Sequence, residues 1–116
     1  MSDLETELKN FQALPPSTSC RLIDFTDAKV VPGIVKDTWF LIVSGTKSLA
    51  VTVELQALIY IRQPEYWGIE VIGCRSGGIT PPLEVPYTVS LDISHLRGTK
   101  GIEVIGAHSR KQIDIP

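Results

Sequence analysis

The sequence predicts an all-β fold, an antiparallel β-sandwich of about seven or eight strands with a short N-terminal α-helix. Apolar and polar residues alternate from Cys20 almost to the C-terminus, the period-two signature of half-buried strands. Gly-, Pro- and Ser-containing turns recur at about the 8–12-residue spacing of a sandwich. No helical stretch separates the strand segments, which excludes parallel βαβ units.

Length and charge narrow the class further. At 116 residues one domain is expected, spanning 1–116: helix 2–13, Pro-rich linker 14–19 and sandwich 20–116. A 43% hydrophobic chain with net charge −2 does not have the composition of a disordered one. Thirteen acidic residues against eleven basic ones argue against nucleic acid as a partner, and against an anionic membrane. The longest apolar runs, 39–43 and 57–61, are five residues each, strand length rather than membrane-spanning length. The first twelve residues carry Asp3, Glu5 and Glu7 and no apolar leader core, so a cytoplasmic location is expected. Two reduced, buried thiols at Cys20 and Cys74 follow from that location.

The helix expectation rests on a capping box, Ser2 with Glu5. Leu4, Leu8 and Phe11 then form one apolar stripe that must dock on a sheet face or a partner chain. Pro15-Pro16 ends it. The strand pattern begins at Cys20. Pro32-Gly33 suits the centre of a type II turn between Val30-Val31 and Ile34-Val35. Residues 38–43 read as a strand and 44–47 as the turn after it. From Leu49 to Ile61 the odd-numbered positions are all apolar, a long strand that should bend near 56–58. Further strands are expected at 67–75, 85–93, 102–107 and 111–115. Pro86 cannot donate to a ladder, which puts the start of its strand at a sheet edge.

Residues 68–73, Gly-Ile-Glu-Val-Ile-Gly, recur letter for letter at 101–106. Gly-Thr-Lys also occurs twice, at 45–47 and 98–100, but at a different offset from the hexapeptide. The hexapeptides therefore read as two equivalent strands, neighbours or pseudo-symmetric partners, rather than as a solenoid period.

Few residues suggest chemistry. His95 and His108 sit at strand ends without the short-spaced ligands a metal site needs, so no metal and no cofactor are expected. An enzyme built on Cys74 with His95 or His108 is the weakest of the readings, because no base is adjacent to Cys74 in sequence. The loops 75–78 and 97–101 resemble anion-binding nests in composition only. Tyr66 and Trp67, with Arg75 and Trp39, are the candidate ligand- or partner-binding group, since Trp and Tyr serve as rigid amphipathic anchors.

The strand pattern resembles immunoglobulin-like or transthyretin-like sandwiches, and Cys20, Trp39 and Cys74 stand in the order of an immunoglobulin domain. The Cys20–Trp39 interval is longer than in that family, and Ile72 stands where it has a Tyr, so no residue role carries over.

The function expected is a non-catalytic binding or structural module. It would act through protein–protein contacts and self-associate as a two-fold dimer through Leu4, Leu8, Phe11 and Ile105. The alternative is a small-ligand or carbohydrate module using Tyr66 and Trp67.

Overall fold

A computed structural model describes residues 19–75 and 82–116. The expected helix with Leu4, Leu8 and Phe11, most of the linker, and residues 76–78 of the nest-like loop lie outside the described residues. Those described form an all-β fold of eight strands in two sheets. They are β1 Ser19–Leu22, β2 Asp27–Pro32, β3 Trp39–Ser48, β4 Val51–Ala57, β5 Tyr66–Arg75, β6 Glu84–Asp92, β7 Gly101–Ile105 and β8 Arg110–Asp114.

The smaller sheet runs β2-β3-β6, antiparallel throughout. Pro86 lies on its edge strand β6, where a missing amide does least harm. In the larger sheet β5 is central. One side of it pairs with β4; the other pairs with β7 along Tyr66–Glu70 and with β1 along Ile72–Arg75. β8 closes the β7 side.

Alternation decides which side chains form the core. Leu41 and Val43 on β3 face Ile69 and Val71 on β5 and Ile102 and Val104 on β7, all fully buried. Tyr87 and Ile93 complete the layer from the β6 side. Val51, Val53, Leu55 and Ala57 line the same interior from β4, as their alternation predicts. Lys111, half exposed at the seam between the sheets, donates from Nζ to the Ala28 carbonyl at 2.8 Å and ties β8 to β2.

The repeated hexapeptides are neighbours, but parallel ones, the single departure from an antiparallel sandwich among the described strands. The chain reaches β7 from β5 by way of β6 in the other sheet, so no crossover helix is needed. Ile69 stands opposite Val104 and Trp67 opposite Ile102, so the two copies are staggered by two residues. A two-residue stagger preserves facing. Both apolar pairs therefore point inward, and Glu70 and Glu103 point outward.

Three turns differ from the sequence expectation. Pro32 ends β2, and Gly33 donates to the Thr38 carbonyl at 2.8 Å, so the reversal is made by residues 34–37. Asp37 there takes φ 64°, a left-handed conformation that Asp tolerates better than most residues. Residues 44–47 are not a turn. β3 continues through them because Gly45 lies under the Tyr87 ring, where a Cβ would stand 2.8 Å from Cε2. Finally, β4 ends at Ala57, and Leu49, Ile59 and Ile61 leave the apolar row for solvent, 45%, 96% and 104% exposed.

Candidate functional site

The aromatic candidates divide between the two faces of the sheets. Trp39 and Trp67 turn inward at the ends of β3 and β5 and pack against the core. Tyr66 points outward, across the side-chain-free Gly101, and its hydroxyl donates to Asp114 Oδ1 at 2.6 Å. Arg75 is not with them. It ends β5 nine residues away, about 30 Å along an extended strand.

What Trp67 and Tyr60 build is a brace for the β4–β5 loop, residues 58–65. The Trp67 indole donates to the Leu58 carbonyl at 2.8 Å. Tyr60 meets Trp67 edge to face, ring centroids 5.2 Å apart. Its hydroxyl accepts from the Gly68 amide at 3.0 Å, taking the place of the carbonyl that β4 no longer supplies. Gly68 has to be a glycine here: a Cβ would lie 2.7 Å from Leu58 Cδ1 and 2.9 Å from the Tyr60 hydroxyl. Ile105 fills the same crowded spot from β7 and is 8% exposed, so the residue expected at a dimer interface is buried within the chain.

The far side of the loop is held by residues 94–100. Gln63 Nε2 donates to the Arg97 carbonyl, and the amides of Thr99 and Lys100 donate to the carbonyls of Pro64 and Glu65. That segment also reaches the other sheet, where Ser94 Oγ accepts from the Trp39 amide. The β2–β3 turn, the β4–β5 loop and the 94–100 segment thus share one end of the sandwich. Inward-facing Tyr60 leaves Ile59 and Ile61 pointing out together. Ile34 and Val35 protrude from the neighbouring turn, 106% and 68% exposed. Four of the six exposed large apolar residues among those described belong to these two loops.

The opposite end holds a cleft of about 610 Å³, lined by Arg21, Asp24, Lys47, Glu84 and His108 together with the apolar Leu22, Ile23 and Val51. His108 Nδ1 lies 3.0 Å from Asp24 Oδ1, and the His108 amide donates to the same oxygen. Both side chains are largely exposed. Tyr87 donates to the Asp24 carbonyl at 2.8 Å. Burial pushes its phenol up from the usual range, and the negative charge of Asp24 adds to this. Lys47 Nζ is occupied by the Val51 carbonyl at 2.6 Å. The Asp24–His108 contact spans 84 residues, and no local spacing announces it.

The expectation of two reduced thiols fails at this end. Cys20 and Cys74 stand directly opposite each other on β1 and β5, with Cα atoms 4.1 Å apart, and form a disulfide. Two cysteines facing each other across an antiparallel pair are close enough to bond, and only the register reveals that they face. Cys74 is therefore neither a buried thiol nor a nucleophile in this structure. Among the described residues no three His, Cys, Asp or Glu side chains converge as a metal site requires. Among the described residues no helix is long and apolar enough to cross a membrane.

No family model matches the chain, and neither a curated protein nor a solved structure matches it.

Proposed function

We propose that the chain is a non-catalytic binding module whose contact surface is the loop end carrying Ile34, Val35, Ile59 and Ile61. The observation that carries this reading is the exposure of those four aliphatic side chains at one end of the fold, while Leu41, Ile69, Ile93 and Ile102 are fully buried. Folding gains nothing from leaving them in water, whereas contact with a partner does.

Catalysis by Cys74 has less support, since the disulfide leaves it no thiolate. A carbohydrate site at Tyr66 and Trp67 is also less supported, because both polar tips are already bonded internally. The disulfide favours an oxidising compartment over the cytoplasm.

Self-association is a second reading, favoured by β8. This edge strand pairs only with β7 among the described strands, and the Lys111 ammonium, a charge that could guard the edge, is held by the Ala28 carbonyl.

The test is the double variant Ile59→Ser with Ile61→Ser. It should elute earlier than the wild type from a phenyl matrix at an unchanged melting temperature. Equal retention would overturn the loop end as the contact surface. Sedimentation equilibrium of both proteins reads any change in self-association at the same time.

A further inference from the structure

We propose that the loop end docks on an anionic lipid surface, with Ile34, Val35, Ile59 and Ile61 entering the interface while Lys36 and Arg62 meet its headgroups. This rests on the reading of that end as the contact surface.

Shape is the first support. Ile34, Ile59 and Ile61 are as exposed as in an extended peptide. They stand as separate points on two loops rather than as a flat patch. A folded partner would need a pocket matched to each point, whereas a fluid interface closes around any protruding side chain.

Charge is the second. A cation follows each tip directly: Lys36 after Val35, and Arg62 after Ile61. Neither takes part in an ion pair among the described residues. Residues 33–38, 58–65 and 94–100 hold Lys36, Arg62, Arg97 and Lys100 against Asp37 and Glu65, a positive excess in a chain of net charge −2. Glu65 is paired with Lys100 at 3.4 Å. Asp92 and Asp114, hydrogen-bonded by Ser94 and Tyr66, keep their negative charge but lie behind these segments, not within them. The overall charge, which argues against anionic membranes, thus averages over an uneven distribution.

Rigidity is the third. The β4–β5 loop is already fixed by Trp67, Tyr60 and Gln63, so docking orders little that was loose.

The test is cosedimentation of the full 116-residue chain with phosphatidylcholine vesicles, with and without about a third phosphatidylserine. Binding to the anionic vesicles should exceed binding to the neutral ones by about ten-fold and weaken with salt. Ile59→Ser with Ile61→Ser should weaken it by about ten-fold or more. Lys36→Gln with Arg62→Gln should abolish the preference for anionic vesicles. All these side chains are exposed, so unchanged melting temperatures confirm that the variants fold. Equal binding to both vesicle types, or anionic binding untouched by the isoleucine variant, would overturn the proposal. If vesicles do not bind but the isoleucine variant loses a wild-type dimer, the occupant is a second copy. The lipid proposal then falls while the contact surface stands. If neither vesicle binding nor phenyl retention depends on the isoleucines, both readings fall.

Discussion

At the loop end, aromatic side chains spend their hydrogen-bonding groups on backbone, fixing a loop whose aliphatic tips then stand in water. At the cleft end the backbone is held by a covalent bond between β1 and β5 and by an exposed Asp24–His108 contact beside a hollow of mixed lining. Both ends rest on the same strand, β5. The difference teaches that the position of an aromatic group does not locate a binding surface. Trp67 and Tyr60 hold the loop in place, and the exposed aliphatic side chains lie next to them.

Breaking the cleft end at its disulfide should give the largest effect. Cys20 and Cys74 are 54 residues apart in sequence. On the chain-entropy account, closing such a loop stabilises the fold by about 4 kcal/mol. Cys20→Ser with Cys74→Ser should lower the denaturation midpoint accordingly, as should unfolding in reductant. Amide exchange of Leu58 and Gly68, both hydrogen-bonded at the loop end, should remain slow under native conditions. If those amides are released together with β1, the two ends are not independent.

Removing one brace at the loop end should have a smaller effect. Tyr60→Phe leaves the Gly68 amide without its acceptor, at a cost of about 1–3 kcal/mol for an amide that finds no other partner. Hydrogen exchange should show faster opening at Gly68 and Leu58 while β1 stays protected. A change confined to β1 would contradict the role assigned to Tyr60.

Alkaline titration should separate the ends with the smallest effect. Both tyrosine phenols lie above the usual value of 10.0. For Tyr66 the cause is first its hydrogen bond to Asp114; for Tyr87 it is burial. A raised folded value means that the folded state holds the proton more tightly. The stabilisation is therefore fully present below pH 10.0 and is lost as pH rises through the folded values. Absorbance titration of Tyr66→Phe and Tyr87→Phe should each remove one late-ionising phenol. Only Tyr87→Phe should flatten the alkaline loss of structure near the cleft.

The strands were legible in the sequence because alternation is a local property. Val51, Val53, Leu55 and Ala57 announce the β4 interior face, and Pro86 announces an edge. The ends were not legible, because each depends on a contact across the fold. Ile59 and Ile61 continue the β4 alternation without a break, and only the inward turn of Tyr60 toward the Gly68 amide sends them outward. Gly45 belongs to a strand because a ring 42 residues later covers it. Cys20 meets Cys74, and Asp24 meets His108, through registers that no spacing encodes. Of the candidate site residues, Tyr66 and Trp67 lie at the loop end, beside exposed aliphatic side chains that the sequence pattern places in strands or next to a turn.

The parallel, two-residue-staggered hexapeptides carry a consequence for how the chain finds its structure. Either copy, laid at the centre of the larger sheet, would turn the same isoleucine and valine inward and the same glutamate outward. The six residues themselves therefore do not distinguish the central strand from its neighbour during folding. That discrimination falls to their flanks. Trp67 and Cys74 border the first copy, with a brace to one side and a covalent partner to the other. The second copy is bordered only by Lys100 and Ala107. Identity that is lost within the strand is restored by what stands just outside it.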